Sequence, residues 1–327
     1  MSNKTISSVG EFGFINIIKK KFALQRRNKQ VSVPIGDDCF CFKSGGINLC
    51  VTKDMLVEDV HFKKEWTYPQ ELGAKAVEVN VSDAASMGGA LPKYIFIGLG
   101  LPPETDFKYV EKIYQGIKNA CAKYKILLAG GDSVKSDKII ISVTVIAVGG
   151  KNIVQRTGAK AGDLIGVTNT FGNAGAGVEL LYKYAGKRKF NKEEKYLIKK
   201  QNSPQARLKE AGKIAKYLTS MTDASDGLYV SLDLIAAKAG ANIALEKIPL
   251  SKELKNVFKD KQKQINLALF GAEDFELVFT VAKSKAAAVK KLVPTVSYIG
   301  EITDSKKVKY FYNGKEQKIK YAGFKHF

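Results

Sequence analysis

The chain has 327 residues, 45% of them apolar, which is enough for the cores of two domains and excludes a disordered polymer. Its net charge of +21 raises nucleic acid as a partner, yet only five of the 53 basic residues are arginine (Arg26, Arg27, Arg156, Arg188 and Arg207). The lysines run along the whole chain with no aromatic-interleaved basic motif, so they read as a solvated surface that favours small anionic substrates over a nucleic-acid face.

The start, Met1-Ser2-Asn3-Lys4-Thr5, lacks an apolar h-region, so no signal peptide is expected. Ser8 and Glu11 have capping-box spacing, and Phe12, Ile15, Ile18 and Phe22 follow at helical period, which predicts a first helix to about Phe22. Ile35-Gly36-Asp37-Asp38-Cys39 then reads as a strand ending in two carboxylates. After the turn at Ser44-Gly45-Gly46, Leu49 to Met55 reads as a second strand ending in a third, Asp54. Adjacent aspartates repel. A solvated loop or a bound divalent cation, which takes oxygen ligands, would each account for them. From Pro69 a helix runs to about Met87 and carries Asn80 and Asp83 on one side, followed by small residues that allow close packing. Asp83 fits either a helix-end cap or a ligand.

Pro92 to Leu101 is a strand, and Phe107 to Tyr124 a helix with apolar residues at helical spacing. Ile126 to Ala129 is a short strand running into Gly130-Gly131-Asp132-Ser133, where glycine permits close approach of backbone N–H groups to a phosphate. Ile139 to Val148 is a β-branched apolar run too short to span a bilayer, hence a buried strand. We divide the chain here, into domains 1–150 and 151–327. The second half opens with Arg156 to Asp163 and a strand, Leu164 to Thr168. The run Gly172 to Gly177 then lacks the Gly-Lys-Ser/Thr of a Walker loop, so its glycines suit close helix–strand packing. Helices over 186–202 and from Ala206 to Tyr217 precede Asp223-Ala224-Ser225-Asp226, two aspartates at a helix start. A helix to Gly240, a strand from Asn242 to Leu245, the segment Gly271 to Leu277 and short closing strands complete the pattern.

The chemical inventory is many carboxylates at element ends, glycine turns and few arginines. Cys39, Cys41, Cys50 and Cys121 contain no C-x-x-C pair, and the two histidines are far apart, which argues against zinc, disulfides and a His-based triad. Such a set suits Mg²⁺-assisted phosphoryl transfer. A phosphate acceptor is already anionic and needs no general base.

In this order the motifs are recognisable. They are Gly10-Glu11-Phe12; Ile35 to Asp38; Thr52, Asp54, Leu56 to Glu58 and Val60 to Phe62; and Asn80 to Asp83. They continue with Gly130 to Asp132, Arg156 to Asp163, Asp223 to Leu228, Gly271 to Asp274 and Gly323 to Phe327. The chain resembles the thiamine-monophosphate kinase family, within the superfamily of aminoimidazole ribonucleotide synthetase and selenophosphate synthetase. The resemblance covers essentially the whole chain. It implies an α/β (α+β) fold of the two-domain aminoimidazole ribonucleotide synthetase type: an N-terminal sheet with helices that dimerises, and a C-terminal mixed sheet flanked by helices. It implies ATP-dependent conversion of thiamine monophosphate to thiamine diphosphate with several Mg²⁺ ions, in a cytoplasmic homodimer with no membrane or nucleic-acid partner.

By motif position Asp38, Thr52, Asp54, Asp83, Asp132, Asp223 and Asp226 look like the metal ligands. Lys53 stands where the family has Thr or Ser and is expected to offer only its backbone carbonyl. Tyr114, Gly131, Asp132, Arg156 and Ser225 look like the ATP contacts, and His61, Glu273 and Phe324 would face the thiamine moiety. Asn173 replaces an aspartate of the family, and Phe324 a frequent tryptophan. Two alternatives stand: another enzyme of the superfamily, or a basic non-catalytic nucleic-acid-binding protein. Selenophosphate synthetase is disfavoured because no cysteine precedes Cys39.

Overall fold

A computed structural model describes residues 5–22, 29–151, 153–237 and 239–323. Phe324, expected near the substrate, lies outside the described residues. In chain order the first half contains α1 (Ile6–Val9), α2 (Glu11–Lys21), β1 (Val31–Val33), β2 (Phe40–Ser44) and β3 (Ile47–Val57). It continues with α3 (Pro69–Ser86), β4 (Leu91–Leu101), α4 (Phe107–Tyr124), β5 (Leu127–Lys135) and β6 (Ile140–Gly149). The second half contains β7 (Leu164–Val167), α5 (Asn173–Tyr184), α6 (Lys192–Asn202), α7 (Leu208–Ile214), β8 (Leu218–Asp223), α8 (Leu228–Ile235) and β9 (Gly240–Ala244). After these come α9 (Lys252–Val257), α10 (Lys261–Phe270), β10 (Leu277–Val281), α11 (Lys283–Leu292), β11 (Ser297–Thr303), β12 (Val308–Tyr312) and β13 (Lys315–Gln317).

The first sheet has six strands in the order β1-β2-β3-β6-β4-β5 and the second seven, in the order β13-β12-β9-β11-β7-β10-β8. Among the strands of the described residues, only β4–β5 and β12–β9 pair in parallel. The first of these parallel pairs needs a crossover, supplied by α4. The chain is therefore a mixed α/β protein with two sheets flanked by helices.

Helix α3 is the shared core element. Leu72, Ala76, Val77 and Val81 are fully buried, and so are Asn80 and Ser82 on its other sides, as expected for a helix covered all round. One continuous apolar cluster joins α3 to Ile95, Ile97 and Val143 of the first sheet and to Ile214, Met221 and Phe279 of the second half. Gly73 and Gly116 let α3 and α4 touch backbone to backbone. A Cβ on Gly116 would stand 2.0 Å from the Gln70 carbonyl oxygen.

Several boundaries differ from the sequence reading, each for an identifiable reason. Gly10, with φ of 68°, breaks the first helix in two, and Thr5 rather than Ser8 caps its start. Strand β5 runs straight through Gly130-Gly131-Asp132, because pairing to β4 outweighs the glycines' turn preference. Asp223 closes strand β8 and is not a helix cap; α8 begins after Gly227. Gly175 and Gly177 lie inside α5, where the Gly271 backbone and the Leu197 carbonyl leave no room for a side chain, so close packing is their role.

Candidate active site

The carboxylates converge where the two sheets meet. Asp38 sits in the loop before β2, Asp54 on β3, Asp83 near the end of α3 and Asp223 at the last position of β8. Carboxylate oxygens of Asp38, Asp83 and Asp223 all lie within 4.8 Å of one another. Side chains alternate along β3, so Thr52 and Asp54 face α3 together. Thr52 Oγ1 donates to Asp83 Oδ2, and Ser82 Oγ donates to Asp223 Oδ2. Arg156 joins the halves. Its Nε donates to Asp38 Oδ1 at 2.9 Å, its Nη2 pairs with the same oxygen, and its backbone N–H donates to Asp37 Oδ2 at 3.1 Å. Thr222 Oγ1 adds a donor to Asp38 Oδ1 at 3.2 Å.

This crowding shows in the acidities. Burial, with the charge of Asp38 added, pushes the Asp223 carboxyl up to about 8. Burial, helped by the charges of Asp38 and Asp226, raises Asp54 to about 6. Asp83 is driven well above the usual carboxylate range by burial and then by Asp54, Asp223 and Asp38. Burial and the neighbouring Asp38 raise Asp37 to about 6.

One atom tests whether a cation fits. Asp38 Oδ2 is buried with no hydrogen-bond partner among the described residues. A buried, unpaired carboxylate oxygen beside two more carboxylates is costly, and a hard cation taking oxygen ligands removes that cost. The donor set is carboxylates and a hydroxyl with no imidazole, which suits Mg²⁺ better than zinc.

A cavity of about 630 Å³ opens beside the cluster, and its lining includes Asp54, Asp83, Asp226, Ser225, His61, Gln201 and Glu273. His61 accepts a hydrogen bond at Nδ1 from the Val57 N–H at 3.1 Å, which leaves the proton of a neutral ring on Nε2. Glu273 has φ of 67°, an unusual backbone for a non-glycine residue, and its N–H is held by the Ser225 carbonyl at 2.6 Å.

Not every residue singled out by sequence joins this group. Lys53 lies on the opposite face of β3, where its Nζ donates to Ser142 Oγ at 2.7 Å. Asp132 pairs across the sheet with Gly98, Gly98 with Ser142, and Ser142 with Met55, which places it on the same outer face. It is also three strand spacings from β3, about 14 Å. Gly131 is neighbour to Asp132, and a Cβ there would stand 1.9 Å from the Ile97 carbonyl oxygen. Tyr114 is half-buried on α4. Asn173, the first residue of α5, is held locally: its Nδ2 donates to Thr170 Oγ1 at 2.9 Å and its Oδ1 accepts from Ser251 Oγ. The sequence reading missed Lys75, buried at 1% exposure and paired with Glu273 at 2.9 Å, and Gln201, which donates to the same carboxylate at 2.6 Å. A lone lysine in the small-residue run Leu72 to Ala76 was the available signal.

The two sheets with a carboxylate cluster at their junction are those of the AIR synthase related proteins. The N-terminal domain of that family matches residues 36–149 and its C-terminal domain residues 160–313. The thiamine-monophosphate kinase of Aquifex aeolicus is 37% identical over 98% of this chain and 99% of its own length. That of Bacillus subtilis is 32% identical over 85% and 89%, respectively. The solved structure of AaThiL complexed with AMPPCP and TMP matches at a TM-score of 0.87 and 36% identity, covering 100% of both chains. The chain belongs to the thiamine-monophosphate kinase family.

Proposed function

We propose that the protein transfers the γ-phosphoryl group of ATP directly, in line, to the phosphate of thiamine monophosphate, giving thiamine diphosphate and ADP. The observation that carries this reading is the orphaned Asp38 oxygen in a carboxylate cluster that opens into a substrate-sized cavity. Asp38, Thr52, Asp54, Asp83, Asp223 and Asp226 are the residues that would hold Mg²⁺. When bound, Mg²⁺ offsets the repulsion between two anionic phosphates.

The chain's own groups then position the reactants. Arg156, balanced against Asp37 and Asp38, offers its guanidinium to the triphosphate. Ser225 lines the cavity next to Asp226 and would meet the nucleotide there. His61 and Glu273 line the same cavity and would take the thiamine moiety, a role that motif position also gives to Phe324. No group is asked to remove a proton, because the acceptor phosphate is already ionised.

Homodimerisation through the outer face of the first sheet belongs to the same reading. Met55, Tyr94, Phe96, Leu127, Leu128 and Val134 are exposed apolar residues on β3, β4 and β5. A patch of that kind favours a protein partner. Gly131 and Asp132 sit within it, so in a dimer they, with Tyr114, would contribute to nucleotide and metal binding from the second copy. The expected setting is the cytoplasm, and no helix among the described residues is long and apolar enough to cross a membrane.

The test incubates the protein with ATP, Mg²⁺ and thiamine monophosphate or the other superfamily acceptors. Formation of thiamine diphosphate and ADP in equal amounts is expected. Turnover of another acceptor with none of thiamine monophosphate would sink the reading.

A further inference from the structure

The motif Gly271 to Asp274 gives Glu273 to the cavity and leaves Asp274 without a task. Between α10 and β10 the chain from Gly271 to Glu276 has no regular structure, and Gly271, Ala272, Glu273 and Phe275 line the cavity. Glu273 has φ of 67° and Phe275 φ of 50°. Left-handed backbone at two non-glycine residues persists only where the surroundings hold it. Main-chain bonds supply part of that hold. The Glu273 N–H donates to the Ser225 carbonyl at 2.6 Å, the Phe275 N–H to the Ala224 carbonyl at 3.0 Å, and the Ala224 N–H to the Glu276 carbonyl at 2.8 Å. The segment is thus joined along its backbone to the turn that carries Ser225 and Asp226.

Asp274 stands between the two left-handed residues, and its carboxylate meets the first turn of α5. Its Oδ2 accepts from the Gly172 N–H at 2.5 Å and its Oδ1 from the Ala174 N–H at 3.0 Å. Helix α5 has no side-chain cap of its own and no acidic residue in its first turn. Gly172, its N-cap, has φ of 82°, and a Cβ there would stand 2.8 Å from the Ala268 nitrogen, so a capping side chain does not fit at that position. A carboxylate from 100 residues further along meets the free N–H groups instead. Helix α5 in turn presents Gly175, Val178, Glu179 and Tyr182 to the cavity. One side chain therefore ties two walls of the cavity together.

We propose that Asp274 is a positioning residue for phosphoryl transfer. By seating α5 on the segment it holds the left-handed backbone on either side of itself. It thereby fixes the separation between Glu273, on the acceptor side, and the Ser225-Asp226 turn, on the nucleotide side. This rests on the kinase reading above, because it needs both reactants in this one cavity. Asp274 is not part of the cavity lining, so its replacement leaves every binding group in place and loosens only their relative placement. Such loosening is felt in the transfer step more than in the binding of either reactant.

The experiment measures kcat, KM for ATP, KM for thiamine monophosphate and the melting temperature in wild type, Asp274→Asn and Asn173→Asp/Asp274→Asn, with rates taken well below the melting transition. In the single variant an isosteric amide keeps one acceptor and sets N–H against N–H at the other. Its kcat should fall roughly tenfold or more, the range for a hydrogen bond to a charged group, with both KM values within about threefold of wild type. The double variant returns a negative charge to the first turn of α5 without the tie to the segment. It should regain melting temperature lost by the single variant and leave kcat low. If the single variant fails to fold, the double variant carries the same comparison with wild type. A kcat that tracks the melting temperature across the three proteins, or failure of both variants to fold, would mark a helix cap with no part in transfer and overturn the proposal. So would a kcat within about twofold of wild type in Asp274→Asn. Absence of thiamine monophosphate turnover in the wild type would instead overturn the functional reading beneath it.

Discussion

Asp83→Asn should stabilise the metal-free protein while removing its response to Mg²⁺. Asp83 lies within 4.8 Å of Asp38 and Asp223, oxygen to oxygen. At an effective dielectric constant of 20, one unit-charge pair at that distance costs about 3 kcal/mol. Burial and the charges of Asp54, Asp223 and Asp38 hold the Asp83 carboxyl toward its neutral form, so folding must forgo an ionisation that the unfolded chain makes freely; with one such pair as the scale, a relief of about 3 kcal/mol is expected for the amide at pH 8. The amide is isosteric and still accepts from Thr52. Each kcal/mol moves the melting temperature of a domain of this size by roughly 2–4 °C, so a rise of roughly 6–12 °C follows.

The pH dependence has a definite sign. A carboxyl whose folded pKa is raised adds stability below its unfolded pKa, and that stability is lost as pH rises through the folded value. For Asp54, at about 6, and Asp223, at about 8, the loss runs from near pH 4 to pH 8. The advantage of Asp83→Asn over wild type should therefore grow across that window. Melting curves of both proteins with a chelator at pH 5 and pH 8, then with added Mg²⁺, read all of this. Comparing them at each pH cancels the background titration of the surface. A variant that melts at or below wild type at pH 8 without metal would refute mutual repulsion as the state of the cluster.

Three further outcomes are expected. Lys53→Thr should leave the midpoint of the Mg²⁺ requirement within about twofold, because the ammonium points away from the carboxylates toward Ser142; a large fall in that midpoint, read from initial rates, would show that a hydroxyl there matters. All four cysteines are buried, and burial pushes the Cys121 thiol up to about 11 and the Cys39 thiol well above its ordinary value. A thiolate-specific reagent at pH 8 should accordingly titrate no thiol in the folded protein and four after denaturation. Phe96→Glu with Leu128→Glu should convert a dimer to a monomer in light scattering, with an unchanged far-ultraviolet spectrum; a wild type already monomeric at micromolar concentration would remove the outer sheet face as an interface.

Much of the candidate carboxylate cluster was legible because its residues stand out locally in the sequence. Adjacent aspartates at Asp37-Asp38, and a strand ending at Asp54, stand out in any reading of charge against strand pattern. The alternation rule also placed Thr52 and Asp54 on one face and Lys53 on the other, as the hydrogen bonds from Thr52 to Asp83 and from Lys53 to Ser142 show. Element types held for α3, β4, α4 and β6, whose periodicity is long and uninterrupted. Strand β5 was cut short because glycine preference is a local term, while pairing with β4 is a tertiary one. The two aspartates at Asp223 and Asp226 looked like a helix start because an N-cap and a strand end share the same residue types.

What sequence alone could not supply is which half completes the other. Asp38 and Asp83 come from the first sheet and its helix, Asp223 from the second sheet, and the arginine that holds Asp38 from the link between them. Lys75 on α3 meets Glu273, 198 residues later in the chain. Neither half alone presents the three-carboxylate cluster or the Lys75–Glu273 pair, so cleft geometry depends on how α3 seats against both sheets. Close packing of that helix on every side, including the glycine contact with α4, sets the separation of the carboxylates to within the few ångströms at which like charges repel. The strain of the site is therefore a property of the joint between the halves, and the helix that carries Lys75, Ser82 and Asp83 is where it is held.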